Sequence, residues 1–224
     1  MKKKNLIVFD IDGTLTDSVG IHQKAFIEAL SDLGIEKIDS NFKEYKHHTD
    51  SYIAKVIYEN DKKELISELK ASEFEHHLTK KVIAERIDEI RGATNLIENL
   101  ENQTDFGVCF ATGSLRRPAE FKLKSIGIDF SDKQLVASDD IFERENIVQK
   151  AIDNASDFYN VKNFDRIISV GDGLWDLITA KNLGLEFIGV GLTNQKVMAE
   201  NGTEIHYENL TEFKIKEKTL YNIT

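Results

Sequence analysis

One cysteine, one proline and one tryptophan are all that this 224-residue chain holds of those types, and each shortage excludes something. The lone Cys109 forbids an intrachain disulfide, and its place inside the apolar run Phe106-Gly107-Val108-Cys109-Phe110-Ala111 marks it as a core residue. A single proline removes proline-rich linkers from consideration. No apolar run approaches the roughly 20 residues a membrane helix needs. The basic start Met1-Lys2-Lys3-Lys4 does not read as a signal peptide, because the apolar stretch behind it is interrupted by Asp10 and Asp12. Positive charge is also short: 29 Lys and Arg face 39 Asp and Glu, a net charge of -10. Such a surface repels polyanions, so neither a nucleic-acid nor a membrane partner is expected, and a reducing cytoplasm is the expected location.

What remains is 41% hydrophobic and 30% charged, an ordinary globular composition of a size for one domain with a smaller insertion. Leu6 to Phe9 is a short continuous apolar run that stops at Asp10-Ile11-Asp12-Gly13-Thr14, the way a buried parallel strand ends at a functional loop. Four later runs have the same character: Phe106 to Ala111, Gln134 to Ala137, Arg166 to Val170 and Leu185 to Val190. Helical spacing lies between them. Thr94 reads as an N-cap before Leu96, Ile97 and Leu100, and Pro118 reads as a first helical residue. Ile147, Val148, Ala151, Ile152 and Ala155 recur at helical intervals in a helix starting near Asn146, and Gly127 and Gly184 stand where helices end. Alternating strands and helices predict a Rossmann-like α/β fold with a parallel sheet covered on both faces. Residues 16 to 92 break the alternation, with helical spacing only at Ile21, Ala25, Phe26, Ala29 and Leu30, at Ile53, Val56 and Ile57, and at Leu78, Val82, Ile83 and Ile87. The reading is a core of residues 1–15 and 93–224 with an all-helical cap of residues 16–92 inserted above the end of the first strand.

Asp10-Ile11-Asp12 sets two carboxylates two residues apart at a strand end, where their repulsion calls for a cation. Gly171-Asp172-Gly173-Leu174-Trp175-Asp176 repeats the pattern after the strand Ile167 to Val170. Parallel strands bring their C-terminal ends to one edge, so both acidic pairs converge, and an oxygen-only donor set favours magnesium. A third strand runs into Thr112-Gly113-Ser114 and then a helix, which gathers hydroxyls, backbone N–H groups and a helix N-terminus into an anion cradle. Cation, cradle and a spare carboxylate describe phosphoryl transfer.

Asp-x-Asp-Gly-Thr-Leu-Thr at the first strand, Thr-Gly-Ser at the second and Gly-Asp-x-x-x-Asp at a later one resemble the haloacid dehalogenase superfamily across nearly the whole chain. With the helical insertion, the resemblance is to its phosphoglycolate phosphatase and β-phosphoglucomutase branch with a type 1 cap. It implies that Asp10 is a nucleophile forming an aspartyl phosphate and that Asp12 protonates the leaving group and later activates water. It implies magnesium held by Asp10, the backbone carbonyl of Asp12, and Asp172, with Asp176 supporting the metal shell. Thr112, Gly113 and Ser114 would hold the phosphate. The family's third motif is a lysine, commonly before proline, and none stands between Ser138 and Glu143. Arg144 is expected in its place, since Lys150 falls in mid-helix. Asp12 itself separates this chain from dehalogenases, ion pumps and phosphonate hydrolases, which carry other residues there.

The expected activity is hydrolysis of a small phosphorylated metabolite, with a phosphomutase as the alternative. A receiver-like signalling domain or a silent phosphate-binding protein is the remote one, and a receiver fits poorly because its phosphorylated aspartate ends a middle strand. Within the cap, His47-His48-Thr49 lies between predicted helices and is the candidate substrate contact, against the plainer reading of a polar turn. His76-His77 reads as surface, with rings pointing apart, and Asp61-Lys62-Lys63-Glu64 as a solvated helix start. Trp175 would more often pack under the following helix than shape a pocket. Neither the substrate nor a preference for monomer or dimer is written in any motif.

Overall fold

Leu6, Ile7, Val8 and Phe9 are each no more than 1% exposed, and their side chains divide between two cores. Strand geometry sends alternate residues to opposite faces. Ile7 and Phe9, with Val108 and Phe110, join one cluster, while Leu6 and Val8, with Cys109 and Ala111, join another. The computed structural model describes residues 2–215. Its strands are β1 (Asn5–Phe9), β2 (Phe106–Ala111), β3 (Leu135–Val136), β4 (Arg166–Gly171), β5 (Glu186–Val190) and β6 (His206–Tyr207). All neighbouring pairs run parallel, in the order β3-β2-β1-β4-β5-β6. β1 is therefore flanked by β2 and β4, and the chain leaves it in both directions, which opens a crevice at their C-terminal ends.

The helices are α1 (Val19–Asp32), α2 (Asp50–Lys62), α3 (Glu68–Ile83), α4 (Ala93–Gln103), α5 (Arg116–Ser125), α6 (Arg144–Tyr159), α7 (Leu174–Asn182) and α8 (Gln195–Glu200). Residues of α4 and α5 complete the first core and residues of α6 the second, so the sheet is covered on both faces as its continuous apolar strands require. The fold is the expected Rossmann-like α/β architecture. Between β1 and α4 lie α1, α2, α3 and a 3-10 turn at Phe42–Glu44, with a cluster of their own built on Phe26, Leu30, Ile57, Phe74 and Leu78. The two chain crossings into this helical segment are stitched by Asp17 N to Asp88 O at 2.9 Å and Ile90 N to Leu15 O at 2.8 Å.

Several local expectations shift. Gly92, not Thr94, is the N-cap of α4; the Thr94 amide and hydroxyl instead donate to Glu89 Oε2 at 2.9 and 2.7 Å. Pro118 is the third residue of α5 rather than its first, and α6 begins at Arg144 rather than near Asn146. The run Asp61 to Glu64 ends a helix instead of starting one, because the buried face Ile53, Ala54, Ile57 and Tyr58 carries α2 through to Lys62 and Lys63 closes it with φ 57°. His76 and His77 do not diverge: their rings meet edge to face at 5.8 Å. β6 went unforeseen, since its two residues offer no periodicity. Gly127 and Gly184 do end helices, with φ of 80° and 67°. Lys3 is bound to the C-terminus of α4, donating to Leu100, Glu101 and Thr104 carbonyls at 2.7–2.9 Å.

Candidate functional site

β1 hands the chain to a tight loop in which the amides of Thr14, Leu15 and Thr16 all turn back on the Ile11 carbonyl. Gly13 makes this possible with φ +78°, and a Cβ there would stand 2.3 Å from Asp172 Oδ2. The first acidic pair and the second are thus in near contact. Asp10 N bonds Val170 O at 2.9 Å, tying the end of β1 to the end of β4. One carboxylate oxygen each from Asp10, Asp172 and Asp176 falls within 4.8 Å of the others. Asp176, in the first turn of α7, accepts from Gly173 N at 3.1 Å, and Asn194 donates to the Asp172 carbonyl at 3.0 Å.

Arg144 opens α6 beneath this cluster and is 7% exposed. Its Nη2 donates to Asp10 Oδ1 at 3.1 Å and to Asp176 Oδ1, and its Nε has no partner among the described residues. Lys150, the other candidate cation, lies exposed farther along α6. Burial, then the charge of Asp176, pushes the Asp10 carboxyl up to about 7 against the opposing pull of Arg144. Burial, then Asp176, Asp10 and Asp12, pushes Asp172 up to about 9. Three carboxylates face one guanidinium, and a divalent cation would balance the two remaining negative charges. The donors are all oxygen, which fits magnesium.

Asp12 faces the other way. Burial would raise its carboxyl, but the Lys122 ammonium, which also lies 3.0 Å from His22 Nδ1, and hydrogen bonds from Lys122 and Ser18 take it well below the ordinary carboxylate range. Lys122 Nζ lies 2.7 Å from either Asp12 oxygen, Ser18 Oγ donates at 2.5 Å and Ser114 Oγ at 3.1 Å. None of His22, Ser18 and Lys122 was found from the sequence. A signal for Lys122 existed: it shares a helical stripe with Leu115 and Ala119, where an apolar residue belongs.

After β2, Thr112 Oγ1 accepts from Ser114 N at 3.1 Å, and the Gly113 carbonyl accepts from Asp50 N at 2.8 Å. A Cβ on Gly113 would meet His48 O at 2.4 Å and Arg144 Nη1 at 2.8 Å, so the helical segment approaches the cradle as far as a glycine allows. That approach is fastened by Thr49 Oγ1 to Phe142 O at 2.9 Å and Ser51 Oγ to Ser138 O at 2.7 Å. Above it lies a cavity of about 780 Å³ whose lining includes Asp10, Asp12, Thr112, Gly113, Ser114, Arg144 and Asp172, together with His48, Thr49 and Trp175. His48 stacks on Trp175 with ring centres 5.0 Å apart, and burial followed by the Arg144 charge lowers its pKa, favouring neutral imidazole. Trp175 therefore lines the cavity instead of packing under α7. His47 is not among the lining residues and turns to Tyr52, 4.7 Å between centroids.

A family model described as haloacid dehalogenase-like hydrolase matches residues 7–190. Among solved structures, a hydrolase from Pseudomonas syringae is 22% identical with a TM-score of 0.63, covering 91% of this chain and 93% of that one. CbbY from Rhodobacter sphaeroides, solved in complex with phosphate, is 19% identical with a TM-score of 0.71, covering 92% and 95%. A predicted phosphoglycolate phosphatase from Haemophilus somnus is 17% identical with a TM-score of 0.63, covering 93% and 95%. No helix among the described residues is long and apolar enough to cross a membrane.

Proposed function

This chain belongs to the haloacid dehalogenase-like hydrolases, and on that footing we propose that it is a magnesium-dependent phosphatase acting on a small phosphorylated metabolite. The observation that carries the reading is the placement of Asp10: it lies against the Arg144 guanidinium, beside Asp172 and Asp176, at the floor of the cavity. Its fold relative CbbY from Rhodobacter sphaeroides was solved with phosphate and, as a mutant, with xylulose-(1,5)bisphosphate, which supports a small phosphorylated ligand.

Asp10 is the nucleophile. Arg144 holds its Oδ1, which leaves Oδ2 to attack phosphorus. The P–O bond to the leaving group breaks, its electron pair goes to the departing oxygen, and that oxygen takes a proton that Asp12 relays from the bound phosphate monoanion. In the second half water attacks the phosphoryl group on Asp10, Asp12 takes the water's proton, and phosphate departs with the Asp10 carboxylate restored. Asp10, Asp172, the Asp12 carbonyl and Asp176 would hold magnesium, which when bound supplies charge neutralisation for the phosphoryl oxygens. Thr112, Gly113 and Ser114 form the phosphate cradle, and the unpartnered Arg144 Nε is a further donor for a phosphoryl oxygen. Residues 16–92 act as a cap over the core of residues 1–15 and 93–224, with His48 and Thr49 facing substrate and excluding water during the first transfer.

The test is phosphate release with magnesium across a panel of phosphorylated metabolites, beside Asp10→Asn and a sample with excess chelator. Turnover lost in both controls supports the mechanism. Activity surviving Asp10→Asn would overturn the nucleophile, and transfer to a sugar acceptor in place of water would move the reading to a mutase.

A further inference from the structure

Lys122 has no exposed surface and does not line the cavity, so it cannot touch a substrate there. It is nonetheless a charged side chain on the inner stripe of α5, and burying an ammonium is costly without full compensation. Its contacts supply that compensation: Asp12 at 2.7 Å, Ser114 Oγ at 2.9 Å and His22 Nδ1 at 3.0 Å. An ammonium only donates, so His22 Nδ1 must accept, which leaves the proton on Nε2, 2.9 Å from Asp50 Oδ1. Asp50 Oδ2 in turn accepts from Leu115 N at 2.9 Å, at the start of α5. The network closes on itself, with each donor committed and no proton of Lys122 left for a phosphate.

Its effect falls on Asp12. Donors from Lys122, Ser18 and Ser114 converge on the two carboxylate oxygens, which suits the ionised, proton-accepting form and fixes its orientation. We propose that Lys122 is a positioning residue for the second half of the reaction, holding Asp12 as the base that takes the proton from the attacking water. The proposal rests on the reading of Asp12 as acid and base. His22 and Asp50 belong to α1 and α2, so the network that engages Lys122 spans both the helical segment and the core.

p-Nitrophenyl phosphate separates the half-reactions, because its phenolate leaves without needing a proton. In Lys122→Met with magnesium, slow hydrolysis of phosphoryl-Asp10 should give a burst of about one equivalent of p-nitrophenolate per active site. kcat should fall about tenfold or more and KM with it, so that kcat/KM falls far less. A uniform loss in kcat/KM without a burst would overturn the proposal, since that is what a structural role alone produces. Asp12→Asn provides the reference: a burst there but none in Lys122→Met sinks only the role of Lys122, whereas no burst in Asp12→Asn sinks the reading of Asp12. Should Lys122→Met not fold, Asp12→Asn/Lys122→Met removes both buried charges. Its kcat should lie within about twofold of Asp12→Asn alone, because Lys122 acts through Asp12, and a further tenfold loss would overturn the proposal.

Discussion

Asp10 and Asp12 stand two residues apart on one loop, and their surroundings drive them in opposite directions. Around Asp10 acidic groups outnumber cations, with Asp172 and Asp176 close by and Arg144 alone opposing them, and its carboxyl is pushed up to about 7. Around Asp12 donors outnumber acids, and its carboxyl is held well below the ordinary range. One subsite carries more negative charge than its own cation balances. The other is already neutralised from within. A repeated residue type thereby acquires two opposite electrostatic settings through its neighbours, the difference on which the two proposed roles rest.

The largest test of this contrast is to neutralise each aspartate. Asp10→Asn is expected to lower turnover by on the order of 10⁴-fold or more, since it removes the proposed nucleophile. Asp12→Asn is expected to cost about 10²–10⁴-fold, the scale of a lost acid–base group. Acid-quenched mass spectrometry should find phosphorylated protein in Asp12→Asn and none in Asp10→Asn. Phosphate retained by Asp10→Asn would place the covalent step elsewhere.

Next in size is the cation beneath Asp10. Arg144→Met leaves the buried Asp10 and Asp176 carboxylates without their cation, a change expected to cost about 3–5 kcal/mol in metal-free protein and about 10²–10³-fold in kcat. Lys150→Met, on the exposed side of the same helix, should stay within about 0.5 kcal/mol. Denaturant unfolding and steady-state rates read both. Comparable losses from the two would break the assignment of Arg144.

Magnesium should sharpen the contrast further. A carboxyl whose folded pKa is raised binds more protons in the native than in the unfolded chain, so it lowers stability as pH rises above its ordinary value. For Asp10 and Asp172 that window runs from 3.8 to about 7 and about 9. Asp12 has the opposite sign, with stability present above 3.8 and lost as pH falls below it. Metal-free protein should therefore lose Tm between about pH 5 and 8, and magnesium should restore more at pH 8 than at pH 5. At a hundredfold excess over Kd the gain is about 2.7 kcal/mol, or roughly 5–10 °C for a chain of this size. A rise in Tm that is the same at both pH values would remove the carboxylate cluster as the binding site.

These two subsites were unequally legible in the sequence. Asp10, Asp172 and Asp176 follow apolar runs that read as parallel strands, and parallel strands share an edge, so their convergence follows from local pattern and one topological rule. Arg144 was readable as the cation because it opens a helix at that same edge. Lys122, His22 and Ser18 were not, because their link to Asp12 runs through tertiary packing: Lys122 from a core helix 110 residues on, Ser18 from the start of the inserted helical segment, and His22 only through its contact with Lys122. Helical spacing located α1 and α5 but could not say which residue of one would face which of the other. The same limit explains Asp61 to Glu64, where charge suggested a start and packing of Ile57 and Tyr58 made an end.

The smallest expected effect lies where the helical segment meets the core over the cavity. His48 and Trp175 come from opposite sides, and their rings stack at 5.0 Å with a 26° interplanar angle. An aromatic pair of this kind contributes about 0.5–1.5 kcal/mol beyond the area it buries. Because it lines the cavity and makes no hydrogen bond to Asp10 or Asp12 among the described residues, its loss should act on substrate retention, raising KM by about tenfold at most. A cycle of His48→Ala, Trp175→Ala and the double variant should give non-additive KM changes, with the second substitution adding little to the first. Independent effects would mean that each ring contacts substrate separately, and the stack would then be an incident of packing. Coupled effects would show that the helical segment retains substrate partly by packing on the core, through His48 on Trp175, a role distinct from that of either charged subsite below.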